Sequence, residues 1–260
     1  MYKNKLHYLR KMETLLLPYT CILCKKMPIP VRDLCSECEQ CLPTLNKSCA
    51  RCAYPISESI YCESCETIEP PYDSIHTLYL YKAPIMQFIL ELKFKHVLVN
   101  ARLLGELMAQ KIKNVWYADK ALPDIILPIP LHFSRMKERG FNQAVEIARP
   151  IAKVIQRPLV YDIAQRIKAT SAQATLNLAE RRQNMQQAFI IRKNISHLHI
   201  AVIDDVITTG ETIREFCKML KQSGAAKIDV WCCARAMNQV TFGKSARAKK
   251  ENLATPQDNK

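Results

Sequence analysis

One stretch constrains the fold of this chain more than any other: His199-Ile-Ala-Val-Ile-Asp-Asp-Val-Ile-Thr-Thr-Gly-Glu-Thr-Ile213. The apolar run Ile200 to Ile203 suits a buried strand and ends in two adjacent carboxylates, Asp204 and Asp205. A Thr-Thr-Gly turn follows, after which Ile213, Phe216, Cys217 and Leu220 recur at helical spacing. The piece reads as strand, loop, helix, and so predicts an α/β domain with a mostly parallel sheet.

A buried strand feeding a helix leaves the loop N–H groups and the helix N-terminus facing outward, where they suit a phosphate. Thr208, Thr209 and Thr212 add hydroxyl donors. Two neighbouring carboxylates repel each other and would repel a bare phosphate. They make sense if they accept hydrogen bonds from sugar hydroxyls or face a hydrated Mg²⁺. A phosphorylated sugar satisfies both halves of the motif. The plainer reading is a helix cap, since Thr or Asp before a helix caps it without any ligand. The acid pair at the end of a buried strand weighs against that reading, because exposed paired acids there are a liability unless used.

The stretch resembles the phosphoribosyl pyrophosphate (PRPP) binding motif of the type I phosphoribosyltransferases, in which two hydrophobics, two acids and Thr-Thr-Gly recur in this order. The resemblance implies that Asp204 and Asp205 take the ribose hydroxyls. It also implies that Thr208, Thr209, Gly210, Glu211 and Thr212 cradle the 5′-phosphate, with Mg²⁺ accompanying PRPP. Glu211 sits where a small residue is frequent, so its side chain must point away from the ligand.

The N-terminal part obeys a different rule. Of twelve cysteines, nine fall between Cys21 and Cys65. Eight form the pairs Cys21/Cys24, Cys35/Cys38, Cys49/Cys52 and Cys62/Cys65, separated by ten, ten and nine residues. A Cys-x-x-Cys turn puts two thiolates on one side of a knuckle, and two knuckles complete a tetrahedral S₄ zinc site. Eight ligands make two Zn²⁺ sites, whose binding supplies folding energy that so small a segment lacks. Four thiolates leave no open position for water, so these sites are structural. A disulfide framework is the competing reading, but Met1 to Tyr19 predicts no cleaved export signal. Spacing leaves sequential and cross-braced pairing open, with short loops favouring the sequential one; Cys41 is left over as a buried or spare thiol.

The 260 residues accommodate one substantial α/β domain plus this module. The expected division is an N-terminal helix or extension at 1–20, a double zinc-knuckle module at 21–69, an α/β domain at 72–240 beyond Pro70-Pro71, and a disordered basic tail at 241–260. No apolar run approaches the roughly 20 residues that span a bilayer. A cytoplasmic location follows, with peripheral attachment at the inner membrane face as an alternative. The net charge of +14 points to a polyanionic partner, although a generically basic protein would show the same excess.

Within the α/β part, strands are expected at 72–81, 124–129, 188–191 and 228–234. Helices are expected from Pro84 through Phe94, from Ala101 to Lys113, and from Asn142 to Ile155. Lys93 falls in a basic turn closing the first of these helices. Between Leu131 and Gln143 the chain reads as a loop, with Arg135, Lys137 and Arg139 on alternate residues, able to neutralise a diphosphate or a DNA backbone. A solvated surface loop is the plainer reading. The polar segment from Arg166 to Gln187, which includes Arg181, resembles a mobile loop that orders over a ligand, or a simple surface connection.

Pro-Ile-Pro-Leu at 128–131 followed by Arg-Gly-Phe-Asn-Gln at 139–143 resembles the signature of the ComF/GntX family. So do Arg166, Thr170 and Gln173 followed by Arg181, Asn184, Ala188 and Phe189. The resemblance covers residues 21 to 235, four cysteine pairs included. It implies a PRPP-binding fold that handles single-stranded DNA during natural transformation, with helicase-like or membrane components of the uptake machinery as further partners. Two alternatives remain: an active phosphoribosyltransferase, and a zinc-dependent adaptor in which the nucleotide fold is a relic. No residue is singled out as catalytic.

Overall fold

The computed structural model describes residues 19–26, 32–67, 69–168 and 188–237. The expected N-terminal helix (all but its last two residues), Thr170, Gln173, Arg181 and Asn184 of the polar segment, and the tail at 241–260 lie outside the described residues. Two short helices, α1 (Ser36–Gln40) and α2 (Glu63–Glu66), belong to the cysteine-rich part. Then come β1 (Ser74–Leu80), α3 (Ile85–Lys95), α4 (Leu98–Lys111), β2 (Ile125–Pro128), α5 (Phe133–Arg139) and α6 (Gln143–Ile155). A π-helical turn, Ile112–Trp116, prolongs α4. A small antiparallel pair, β3 (Ala164–Arg166) and β4 (Phe189–Ile191), precedes β5 (His199–Ile207), α7 (Glu211–Gln222) and β6 (Lys227–Arg235).

The main sheet is parallel, in the order β1-β6-β5-β2. Parallel strands are covered on both faces, which explains why Ile200 to Ile203 form an unbroken apolar run rather than an alternating one. Ala201 and Ile203 pack with Trp231 against a layer made by α3, α4 and α6, where Ile89, Leu92, Leu104, Met108, Ile147 and Ile151 are fully buried. Ile200 and Val202 face the other way, toward Phe216 and Leu220 of α7 and Phe189 of β4.

Both outer edges of the sheet are covered. Leu80 N–H donates to the Pro43 carbonyl at 2.8 Å and Tyr79 bridges Thr44, so the cysteine-rich part lies along the free edge of β1. On the opposite edge, Ile126 N–H donates to Pro158 and Val160 N–H to Ile126. Unpaired edge groups that would otherwise recruit another chain are thereby occupied.

Three expectations need correction. The central strand does not stop at the acids but runs through them to Ile207, because β6 continues to pair with it up to Arg235. The second helix begins at Leu98, three residues early, since Val97 and His96 turn the chain directly into it. The stretch after Leu131 is not a loop throughout: residues 133–139 form α5, closed by Gly140 at φ 72°. Its cations therefore do not line up. On a helix Arg135 and Arg139 share one face, and Lys137 lies on the other.

Helix α4 crosses α6 at Gly105, where a methyl group would lie 2.3 Å from Pro150 Cγ and 2.4 Å from the Ile147 carbonyl oxygen. The second contact is backbone and cannot swing away. Gly105→Ala should therefore lower stability by roughly 1–3 kcal/mol or more despite the helix propensity of alanine. Chemical denaturation of the purified variant checks this, and an unchanged midpoint would contradict the packing described.

Candidate functional site

The carboxyl ends of β2 and β5 and the start of α7 meet at one end of the sheet. Gly210 takes φ 81°, which lets the chain turn out of β5 and into α7 over three residues. Thr208 is exposed, Thr209 and Gly210 are half-buried, and the Glu211 N–H reaches Thr209 Oγ1 at 3.4 Å. Thr212 is half-buried in the first turn of α7. The loop N–H groups and threonine hydroxyls thus sit at the strand end, next to the acid pair.

Asp205 is nearly buried and forms an ion pair with Lys93, whose Nζ lies 2.6 Å from its Oδ2. Lys93, expected in the basic turn that closes the helix from Pro84, lies in the last turn of α3, which carries its side chain over the end of β5. Asp204 is half-buried and its Oδ1 accepts the N–H of Asp205 at 2.9 Å. Burial and the neighbouring Asp205 charge push its carboxyl up to about 7, against the opposing pull of Lys93 and Arg166. Successive strand residues point to opposite faces, which separates the two carboxylates and lets each meet different cations.

Arg139 is buried, with its guanidinium over the Phe94 ring at 5.4 Å and in the field of Asp205. Burial, and secondarily the charge of Arg135, lower the pKa of both Arg139 and Arg166, against the opposing pull of Asp205 on the first and Asp204 on the second. Of the proposed cations, Lys93, Arg135, Arg139 and Arg166 are brought together, Lys137 is exposed on the far face of α5, and Arg181 is outside the described residues.

The residues after Arg139 serve the same end. Gly140 closes α5, Phe141 packs edge-on against His96 at 5.6 Å, and Asn142 caps α6 by accepting the Ala144 N–H at 2.9 Å. The Asn142 amide also donates to the Ile129 carbonyl at the end of the strand segment, fixing α6 to the sheet.

In the N-terminal part the eight cysteines gather into two groups, Cys21/Cys24/Cys35/Cys38 and Cys49/Cys52/Cys62/Cys65, each with its sulfurs within 4.8 Å of one another. The pairing is sequential. Cys35 and Cys62 sit at the N-caps of α1 and α2, which place Cys38 and Cys65 one turn on. A tetrahedral zinc with bonds of about 2.3 Å separates its sulfurs by roughly 3.8 Å. Cys24 and Cys35 are 3.7 Å apart and Cys52 and Cys62 3.6 Å, so both tetrads fit a zinc ion. Cys41 is exposed and outside both groups.

Sequence reasoning missed Arg235. Its guanidinium, buried at the end of β6, donates to the carbonyls of Cys52 (3.1 Å), Ile207 (3.0 Å), Ala236 (3.1 Å) and Thr208, and lies over the Tyr54 ring. It ties the second cysteine tetrad to the Thr-Thr-Gly loop. The only sequence signal was an arginine ending an otherwise apolar strand.

A parallel α/β sheet with an acid pair and Thr-Thr-Gly turn at its carboxyl end, preceded by two cysteine tetrads, defines an α/β protein with an N-terminal double zinc-binding module. A family model described as "Double zinc ribbon domain" matches residues 12–66. The chain is 30% identical to "DNA utilization protein YhgH" of Escherichia coli K12 over 227 residues, which cover 86% of this chain and 100% of that protein. It is 31% identical to "Competence protein F" of Haemophilus influenzae, covering 84% of this chain and 97% of that one. "Competence protein ComFC" of Bacillus subtilis is 25% identical over 208 residues, covering 76% and 81%. The chain belongs to this ComF-type family. Among solved structures, glutamine PRPP amidotransferase of B. subtilis aligns with 51% of this chain and 25% of its own at 17% identity and TM-score 0.35. Purine phosphoribosyltransferase of Pyrococcus horikoshii aligns with 52% and 73% at 16% and TM-score 0.33.

Two outcomes follow. An acid whose folded value lies above its ordinary 3.8 keeps a proton in the folded state, so stability is lost as pH rises from about 4 toward 7. Asp204→Asn removes that loss and should stabilise the fold by roughly 2–4 kcal/mol at pH 8, and by much less at pH 5. Thermal melts at the two pH values test it, and equal gains would show that Asp204 is not perturbed. Metal analysis of purified protein should give two zinc ions per chain, and one in either Cys24→Ser or Cys62→Ser.

Proposed function

We propose that this protein binds Mg²⁺-PRPP at the junction of β5 and α7 and acts on single-stranded DNA. Asp204 and Asp205 accept hydrogen bonds from the ribose hydroxyls. The backbone of Thr208 to Thr212, with its threonine hydroxyls, holds the 5′-phosphate at the start of α7. Lys93, Arg135, Arg139 and Arg166 would serve to neutralise the diphosphate, and Mg²⁺ would supply further neutralisation. The observation that carries this reading is the acid pair beside an outward-turned Gly210 loop: donors for a phosphate and acceptors for hydroxyls within one turn of chain.

The DNA half rests on different support. The chain carries a net charge of +14, and its relatives are named for DNA utilization and competence. No helix among the described residues is long and apolar enough to cross a membrane. We place the division between the zinc module and the α/β domain at Pro70-Pro71.

The convergence of three arginines beside the acids favours one further reading, transfer of ribose 5-phosphate from PRPP. Its transition state is a developing oxocarbenium ion with a departing diphosphate, and fixed cations would stabilise that leaving group.

Calorimetric titration of the zinc-loaded protein with Mg²⁺-PRPP tests the binding. Losing two charge-assisted acceptors should cost about 100-fold or more in affinity in Asp204→Asn with Asp205→Asn, without unfolding. Retained affinity would refute the ribose assignment. Pyrophosphate release dependent on a nucleobase or oligonucleotide acceptor would establish transfer; binding without release would leave PRPP as a ligand.

A further inference from the structure

The two cysteine tetrads meet different halves of the core. Cys21 and Cys35 of the first pack in the cluster that holds Leu104 and Met108 of α4, on the α3, α4 and α6 side of the sheet. Ala53, directly after Cys52 of the second and fully buried, packs in the cluster of Ile207, Ile213 and Phe216, on the α7 side. The Thr-Thr-Gly turn emerges from that second cluster, and Arg235 stands between the turn and the tetrad. Its Nε donates to the Cys52 carbonyl at 3.1 Å, while its Nη1 donates to the carbonyls of Ile207 at 3.0 Å and of Thr208. The ring of Tyr54, two residues after Cys52, lies against the guanidinium at 5.4 Å.

We propose that Arg235 is a positioning residue that couples the second zinc site to the Thr-Thr-Gly turn, so that zinc in the Cys49/Cys52/Cys62/Cys65 tetrad and PRPP at the turn strengthen each other's binding. The coupling rests on the PRPP reading above and names what holds its phosphate subsite in shape.

The link runs through two peptide planes. A trans peptide points its C=O and the following N–H to opposite sides. With the Ile207 and Thr208 carbonyls drawn to Arg235, the N–H groups of Thr208 and Thr209 face away from it, as donors to a phosphate must. On the zinc side, the oxygen that accepts the Arg235 Nε–H belongs to the residue whose sulfur would ligate the ion. Cys52 Sγ lies 3.6 Å from Cys62 Sγ, the spacing that a shared zinc imposes. A dication neutralises thiolates that repel at this distance, so its removal frees Cys52 to turn and moves the acceptor of Nε. The guanidinium is planar and rigid, so a shift at Nε reaches Nη1. The first tetrad has no such link. Its segment reaches α4 through Asp33 to Arg102 and Arg32 to Gln110, and among the described residues none of its hydrogen bonds or ion pairs meets the turn.

The test uses the full chain loaded with zinc, titrated with a chromogenic zinc chelator in excess Mg²⁺, with and without PRPP. Binding free energies couple reciprocally, so saturating PRPP should raise the affinity for one of the two zinc ions by about 5- to 150-fold and leave the other as it was. Cys24→Ser, which keeps the second zinc, should show that shift, and Cys62→Ser, which keeps the first, should not. Arg235→Lys retains the charge without the planar fork. It should still bind two zinc ions, lose the PRPP-dependent shift and bind PRPP about tenfold less tightly. Arg235 is buried, so circular dichroism checks that this variant folds; if it does not, the titration of the unaltered chain decides alone. An arginine with a merely structural role would alter stability without making zinc retention depend on PRPP. If the unaltered chain does not bind Mg²⁺-PRPP, the proposed function fails and the coupling with it. If it binds, and neither zinc affinity shifts or both shift alike, the coupling is overturned while the PRPP reading stands.

Discussion

The buried guanidinium of Arg235 holds the two halves of this protein in one arrangement. It sits where β6 ends and donates to the carbonyl of Cys52 in the second cysteine tetrad and to those of Ile207 and Thr208 in the turn out of β5. Hydrogen bonds from a charged donor are worth roughly 1.5–3 kcal/mol each. Their loss would strand buried carbonyls on both sides. The Thr-Thr-Gly turn therefore leans on the second cysteine tetrad. The Tyr72 hydroxyl, donating to the Arg51 carbonyl at 2.6 Å, reinforces the same junction, and the Asp33–Arg102 ion pair ties the first tetrad to α4. The zinc module is thus built into the sheet rather than appended to it.

The sequence revealed what is periodic or stereotyped. The run Ile200–Ile203, the helical spacing after Gly210 and the four Cys-x-x-Cys pairs each express a local rule, and each element lies where that rule puts it. What escaped was long-range pairing. Nothing in the neighbourhood of Lys93 announces Asp205, because the two are joined only when α3 folds over the end of β5. The alternating cations at 135, 137 and 139 suggested one extended row; a helix there splits them onto two faces, and a stretch of seven residues is too short for its periodicity to be decisive. Arg235 was lost because a strand's apolar pattern says where it is buried, not what its last residue will reach.

Two acids on neighbouring strands are satisfied very differently. Asp229, near the amino end of β6, is almost wholly buried, yet it accepts hydrogen bonds from Ser74 Oγ (2.6 Å), His199 Nε2 (2.6 Å) and the Tyr117 hydroxyl. Burial works to raise its pKa, but those donors outweigh it and hold the carboxyl below its ordinary range. Its demands are met from within the protein. Asp204, in the carboxyl half of β5, receives only the neighbouring Asp205 N–H among the hydrogen bonds described, lies beside a second negative charge, and is pushed up to about 7.

That contrast follows the polarity of the sheet. In parallel α/β sheets helix N-termini and the turns leading into them gather beyond the carboxyl ends of the strands, and ligands bind there. The amino end can be closed with donors such as Tyr117 and Trp231, whose indole N–H reaches the Tyr117 hydroxyl at 3.3 Å. The acid pair at the carboxyl end has no comparable set of donors, since Asp204 accepts only the Asp205 N–H among the hydrogen bonds described and Asp205 is met by Lys93. The Lys93 ion pair holds one of the two acids meanwhile. It neutralises Asp205 without supplying a donor to Asp204, which remains the less satisfied of the pair.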